Sequence, residues 1–122
     1  MAHNPGFLKL VNESKARVRQ IDIQGYQTMR GGAEPHVLVD VREDSEWSAG
    51  HVTGAVHLGK GIIERDIESK VPQKETTLVL YCGGGFRSAL AADALRQMGY
   101  TNAISLDGGW RAIQAAGLPT EK

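Results

Sequence analysis

Leu78-Val79-Leu80-Tyr81-Cys82-Gly83-Gly84-Gly85-Phe86-Arg87-Ser88 is the stretch around which this chain reads. Its first four residues are aliphatic, β-branched or aromatic, the signature of a short buried strand. From Ser88 to Met98 the composition turns to strong helix formers, closed by Gly99 in the C′ position. Three consecutive glycines join the two. A strand that passes into a helix through such a loop aims several backbone N–H groups at one point, beside the positive end of the helix dipole. That is a cradle for an anion, and Cys82, the single cysteine of the chain, sits at its lip. A thiol so placed ionises more readily than free cysteine, whose pKa is about 8.5, and the thiolate is the reactive form. A lone cysteine after a strand is usually a small buried hydrophobe. The glycines argue otherwise: each costs roughly 0.5–1 kcal/mol relative to alanine inside a regular element, so the loop needs a permissive backbone at close approach. Arg87 adds a fixed positive charge and a bidentate donor fork.

Working outward, Asn4-Pro5 predicts a helix start, and Phe7, Leu8, Val11, Ala16 and Val18 fall loosely on one side of that helix. We read residues 1–20 as a helical arm, for which packing on the domain that follows is favoured over serving a partner. Ile21 predicts a short edge strand, and Asp22 caps a helix running to about Arg30. Val37-Leu38-Val39-Asp40-Val41 is an almost uninterrupted apolar run, as expected of a central parallel strand. Asp44 to Ala49 predicts one or two helical turns, His51 to Leu58 a turn and a short strand, and Ile62 to Val71 a helix stopped by Pro72. Ala103-Ile104-Ser105-Leu106 is a further buried strand, and Trp110 to Ala116 a last helix before Gly117. Strands alternating with helices through short connections imply an α/β fold: a mostly parallel sheet of four to five strands with helices on both faces. The domain spans 21–119, with 120–122 as a tail. In open sheets the ligand site lies beyond the carboxyl ends of the strands. Those ends carry Asp40-Val41-Arg42, Cys82-Gly83-Gly84-Gly85 and Asp107-Gly108-Gly109, so the topology and the cysteine point to one face.

Composition narrows the function classes. With 122 residues one domain is expected, large enough to bury about two-thirds of its unfolded surface. The 14 basic and 14 acidic residues cancel, giving no electrostatic footprint for nucleic acid or a membrane surface. One cysteine rules out an internal disulfide and a Cys-x-x-Cys pair, so covalent chemistry at Cys82 has no resolving thiol in the chain. The first twenty residues lack a signal peptide's apolar core and no apolar run approaches a membrane span, so the cytoplasm is the expected location.

Four segments in order resemble the rhodanese family of sulfurtransferases: Leu38-Val39-Asp40-Val41-Arg42; Glu46-Trp47-x-x-Gly50-His51-Val52-x-Gly54-Ala55; Cys82-x-x-x-x-Arg87-Ser88; and Asp107-Gly108-Gly109-Trp110. The resemblance runs from about Ile21 to Pro119. It implies that Cys82 attacks the outer sulfur of a donor such as thiosulfate or a persulfide, becomes a persulfide itself, and passes the sulfur to cyanide or a thiol, with no cofactor or metal. It implies that the amides from Gly83 through Gly84, Gly85 and Phe86 to Ser88 hold the persulfide, while Arg87 closes the loop and helps hold the anion. Asp40 and Arg42 read as a buried salt bridge at a strand end, with Arg42 adding positive potential at the mouth. Glu46, His51 and Asp107 read as support, Glu46 pairing with a nearby arginine and His51 capping a turn. Trp47 and Trp110 read as core or pocket wall.

Two other readings stand beside this one. Phosphatases of the same fold have one more residue in the loop than the four between Cys82 and Arg87, which favours sulfur over phosphate. A binding module without catalysis is the other, and the intact cysteine, glycines and arginine argue against it. The loop itself carries no charged side chain before Arg87, so Arg42, Lys60, Arg65 or Arg111 must supply any further positive charge. This predicts weak capture of thiosulfate and leaves room for a small-molecule or protein persulfide as donor. Phe86 is expected either to project as a hydrophobic lip or to pack on its own domain.

Overall fold

The computed structural model describes residues 3–122. Helix α1 (Pro5–Arg17) leads into strand β1 (Arg19–Ile21) and helix α2 (Ile23–Gly31). Strand β2 (Val37–Asp40), helix α3 (Asp44–Ala49) and the two-residue strands β3 (His51–Val52) and β4 (Val56–His57) follow. Then come α4 (Ile63–Lys70), β5 (Leu78–Tyr81), α5 (Phe86–Gln97), β6 (Ala103–Leu106), α6 (Gly109–Ala116) and β7 (Thr120–Glu121). Five strands form one sheet in the order β1-β6-β5-β2-β4, every neighbouring pair parallel.

Strand β5 lies at the middle of this sheet and all four of its residues are buried. The pleat sends alternate side chains to opposite faces. Leu78, Leu80 and Cys82 enter one core with Ile63 and Ile67 of α4 and Ala91, Ala92 and Leu95 of α5. Val79 and Tyr81 enter the other, with Tyr26 and Met29 of α2 and Ile113 of α6. The outcome is three layers: α1, α4 and α5, the sheet, then α2 and α6. Helix α4 ends at Lys70, one residue short of the expected Val71, because Pro72 just beyond offers no N–H to continue it.

Local chemistry explains several boundaries. Asp22 caps α2, its Oδ1 accepting from the Gly25 amide at 2.8 Å. Helix α5 begins at Phe86, two residues before the expected Ser88, because Gly85 takes a left-handed φ of 98° and so serves as N-cap. Residues 120–121, expected in a tail, pair antiparallel with β3 in a second, two-stranded sheet. The α1 face also differs from expectation. Val11 and Ser14 are buried while Ala16 is exposed. Ser14 belongs to the seam because its hydroxyl donates to Asp93 of α5 at 3.1 Å, and Arg17 donates to the same carboxylate at 2.6 Å. Arg96 of α5 adds a third side-chain partner at 3.1 Å. A buried carboxylate needs this degree of pairing to remain charged.

Candidate active site

The loop from β5 to α5 wraps around the sulfur of Cys82. Sγ accepts from the amide of Gly85 at 3.1 Å and from that of Ser88 at 3.4 Å, and lies 3.5 Å from Ser88 Oγ. Ser88 Oγ is in turn 2.8 Å from Ser105 Oγ, which comes up from β6. Burial alone would push this thiol up. The Ser88 hydroxyl and the amides of Ser88, Gly84 and Gly85 outweigh it and bring the pKa below the ordinary thiol value. The N-terminus of α5 adds a favourable dipole, on the order of 0.5–2 kcal/mol for a partly buried anion.

The back of the loop is fixed by α6. The Cys82 carbonyl accepts from the Trp110 amide at 2.7 Å, and the Gly83 carbonyl from the Arg111 amide at 3.3 Å. Gly109, with φ 50°, makes this approach possible: a Cβ there would overlap the Cys82 carbonyl and lie 3.0 Å from Gly83 C. On the other side, Arg87 donates to Glu46 Oε1 at 2.8 Å and Oε2 at 3.1 Å. Glu46 Oε1 also accepts from the Glu43 amide at 3.0 Å, tying the loop to the first turn of α3. These bonds, the arginine's first, hold the Glu46 carboxyl below the usual carboxylate range.

Cys82 is only 1% exposed, yet it forms part of the floor of a cleft of about 550 Å³. Gly83, Gly84 and Arg87 line that cleft, together with Phe86, Phe7, His3 and Arg111. Phe86 packs on its own molecule: its ring centre is 6.2 Å from Phe7 and 4.6 Å from His3, and Lys15 Nζ lies 4.8 Å over the ring. Arg42 does not reach the cleft, contrary to the expectation that it adds charge at the mouth. Its guanidinium is 4% exposed, bonded to Asp40 at 2.8 Å and to the Gly50 carbonyl at 2.6 Å, and stacked 4.4 Å over Trp110. The Arg42 side chain is therefore already occupied in tying strand β2 to α3 and α6. Asp40 is fully buried in the same pair. Arg65 is held by Asp66 at 2.7 Å, and neither it nor Lys60 lines the cleft.

The support residues lie around this centre. His51 Nδ1 donates to the Trp47 carbonyl at 3.0 Å and its ring stacks 3.4 Å from that of Trp47. Trp110 is 6.2 Å from the Tyr81 ring. Asp107 anchors the turn after β6, its amide donating to Ile21 at 2.8 Å and its Oδ1 lying 4.0 Å from Lys15. Three residues at the site escaped the sequence reading: Ser105, Phe7 and His3. Ser105 carried a signal, a lone hydroxyl in the apolar run of a strand that ends at the site. Among the described residues no group of three or more His, Cys, Asp or Glu side chains has metal-ligating geometry.

A strand-loop-helix anion bowl around one cysteine, on a five-stranded parallel sheet, defines the class of protein. The chain belongs to the rhodanese-like domain family, whose profile matches residues 23–116. It is 44% identical over 87 residues to an uncharacterised protein of Synechocystis, covering 70% of this chain and 47% of that one, so the chain spans about half that relative's length. It is 37% identical over 83 residues to the thiosulfate sulfurtransferase GlpE of Pseudomonas entomophila, covering 66% of this chain and 74% of the other. Among solved structures, a Rhodopseudomonas palustris protein described as of unknown function and a possible tyrosine phosphatase superposes with a TM-score of 0.85 at 28% identity, covering 99% and 98% of the two chains. A rhodanese-like domain from Anabaena gives 0.74 at 29% identity, over 84% and 77%. The sulfurtransferases among the relatives support sulfurtransferase activity at the level of the family. No helix among the described residues is long and apolar enough to cross a membrane.

Proposed function

We propose that the protein is a sulfurtransferase of the cytoplasm that carries sulfane sulfur on Cys82. The observation that carries this reading is the ring of donors on Sγ, at the floor of an open cleft. The Cys82 thiolate attacks the terminal sulfur of thiosulfate or of a persulfide. A sulfur–sulfur bond forms to Cys82 as the donor's own sulfur–sulfur bond breaks, and sulfite or a thiolate leaves with the electron pair. The amides that hold the thiolate then hold the persulfide anion, with no reorganisation needed at the moment of transfer. Cyanide or a thiol takes the outer sulfur and restores the thiolate. No cofactor or metal enters the cycle, and a protein persulfide is a further donor or acceptor.

Thiosulfate is expected to be a poor donor, with a high KM. The loop has no charged side chain before Arg87, and Arg87 is engaged by Glu46. The same engagement argues against phosphatase chemistry, where the arginine must offer its fork to the phosphate.

Intact-mass measurement after incubation with thiosulfate tests the proposal. A gain of one sulfur atom that cyanide removes, absent in Cys82→Ser, is the expected result. An unchanged mass with every sulfane donor supports a binding module instead, and turnover of p-nitrophenyl phosphate without sulfur gain supports a phosphatase.

A further inference from the structure

We propose that the outer part of the cleft is a subsite for the organic group of the donor, and that Phe7 and Arg111 set its specificity. This rests on the sulfurtransferase reading above and adds to it the chemistry of the donor's non-sulfur part: an apolar body bearing a carboxylate. Three observations lead there.

The first is size. A cleft of about 550 Å³ falls within the roughly 300–1,000 Å³ of pockets that enclose drug-sized ligands, far beyond the needs of an inorganic anion of a few atoms. The second is the wall. His3, Phe7 and Phe86 form a continuous aromatic surface, with His3 5.3 Å from Phe7 as well as packed on Phe86. The two phenylalanine rings of this surface favour an apolar body over a strongly hydrated dianion, and the His3 ring nitrogens are its polar edge. The third is charge. Of the cations near the site, Arg87 is bound to Glu46, Arg42 to Asp40, and Lys15 lies over Phe86 beside Asp107. Arg111 also lines the cleft and has no side-chain hydrogen bond or ion pair within the described residues. Its amide is fixed to Gly83, so the first turn of α6 holds this guanidinium beside the cysteine loop with its donor fork unused.

The transfer step is unchanged by the organic group. For a thiosulfonate R–SO2–S⁻, the Cys82 thiolate forms a bond to the terminal sulfur, the donor's sulfur–sulfur bond breaks, and the sulfinate R–SO2⁻ departs with the electron pair. An organic persulfide R–S–S⁻ gives R–S⁻ in the same way. Neither needs an oxidant or a reductant.

Thiosulfonates are stable probes of R. We would measure kcat/KM, with cyanide as acceptor, for methanethiosulfonate, benzenethiosulfonate, 4-carboxybenzenethiosulfonate and thiosulfate. The expected order places the carboxylated aryl donor first, about fivefold above the unsubstituted one. Arg111→Ala should bring that ratio to about one and Arg111→Glu should invert it; this side chain is exposed, so folding is not at stake. Phe7→Ala should lower both aryl donors by roughly tenfold relative to methanethiosulfonate. Phe7→Leu, which keeps the helix packed, should do so by a smaller factor. Aryl donors no better than methanethiosulfonate, or Arg111 variants that slow both aryl donors equally, would overturn the subsite while leaving thiosulfate turnover, and so the sulfurtransferase reading, in place. Loss of both would show as no thiocyanate from any donor and no sulfur on Cys82.

Discussion

Arg87 reaches back across 41 residues to grip both carboxylate oxygens of Glu46, at 2.8 and 3.1 Å. The pair joins the first turn of α5 to α3, so the arginine of the cysteine loop acts as a strut. Replacing Glu46 by Gln keeps the shape but removes the charge-assisted fork. In a partly exposed pair that is worth roughly 1 kcal/mol of stability, so the melting temperature should fall by about 3–6 °C, and the loosened loop should lower kcat/KM for persulfide donors. Arg87→Lys should cause a similar loss, because a point charge cannot span two oxygens. Steady-state kinetics beside thermal unfolding checks this; an unchanged kcat/KM would deny Glu46 any part in positioning.

Removing the Ser88 hydroxyl should weaken the thiolate. In the folded chain the Cys82 thiol titrates below its ordinary value, with Ser88 supplying a hydroxyl and an amide. Ser88→Ala takes away one donor to the charged form, so the midpoint moves up and less thiolate is present at neutral pH. The rate of iodoacetamide alkylation at pH 7 should drop by a factor of roughly 2–10, the equivalent of one net hydrogen bond. Ser105→Ala, one step removed, should shift the profile in the same direction by less. A profile that does not move would remove the hydroxyl pair from the electrostatics of the site.

Gly109→Ala should damage fold and site together. The added methyl would collide with the Cys82 carbonyl, and the backbone at φ 50° disfavours a side chain. We expect a stability loss of about 2 kcal/mol or more and sulfur transfer reduced at least tenfold. Denaturant unfolding and single-turnover kinetics measure the two effects. Gly84→Ala, where a Cβ would meet nothing within 4 Å, is the internal control and should be mild.

Stability in acid should follow Asp93. Its carboxyl, held down first by Arg17, and then by Arg96 and Ser14 against the opposing effect of burial, titrates at about 2. The folded value lies below the unfolded one of about 3.9, so the stabilisation is complete above pH 4 and is lost as pH falls toward 2. Screening around the half-exposed Arg17 leaves on the order of 1–2 kcal/mol. Asp93→Asn should lower stability at pH 7 by about that amount and flatten its dependence on pH between 4 and 2. Urea unfolding at a series of pH values decides it; a parallel loss at all pH values would assign the effect to packing.

The strand, the glycine loop and the helix behind it could be read from residues 78–98 because each is a local pattern. Apolar run, flexible turn and helix formers need no distant partner to be recognised. The readings that shifted depend on residues far apart. Arg42 in a sequence is simply a charge near the site; only the fold reveals that Asp40, Gly50 and Trp110 surround it. Thr120 and Glu121 carry no alternation of their own and become a strand because Val52 and His51 lie beside them. Phe7 reads as one apolar position on a helix face, and its place on the cleft follows from how α1 crosses α5.

The crossing of α1 over α5 has a consequence for the order of events on the ribosome. Ser14 and Arg17 meet Asp93 only after 79 and 76 further residues have been made. A 13-residue helix has little stability alone in water, so α1 stays unfolded until α5 has been synthesised and docked. The side of the cleft that Phe7 lines therefore forms only once most of the chain exists, although Phe7 is itself among the first residues made.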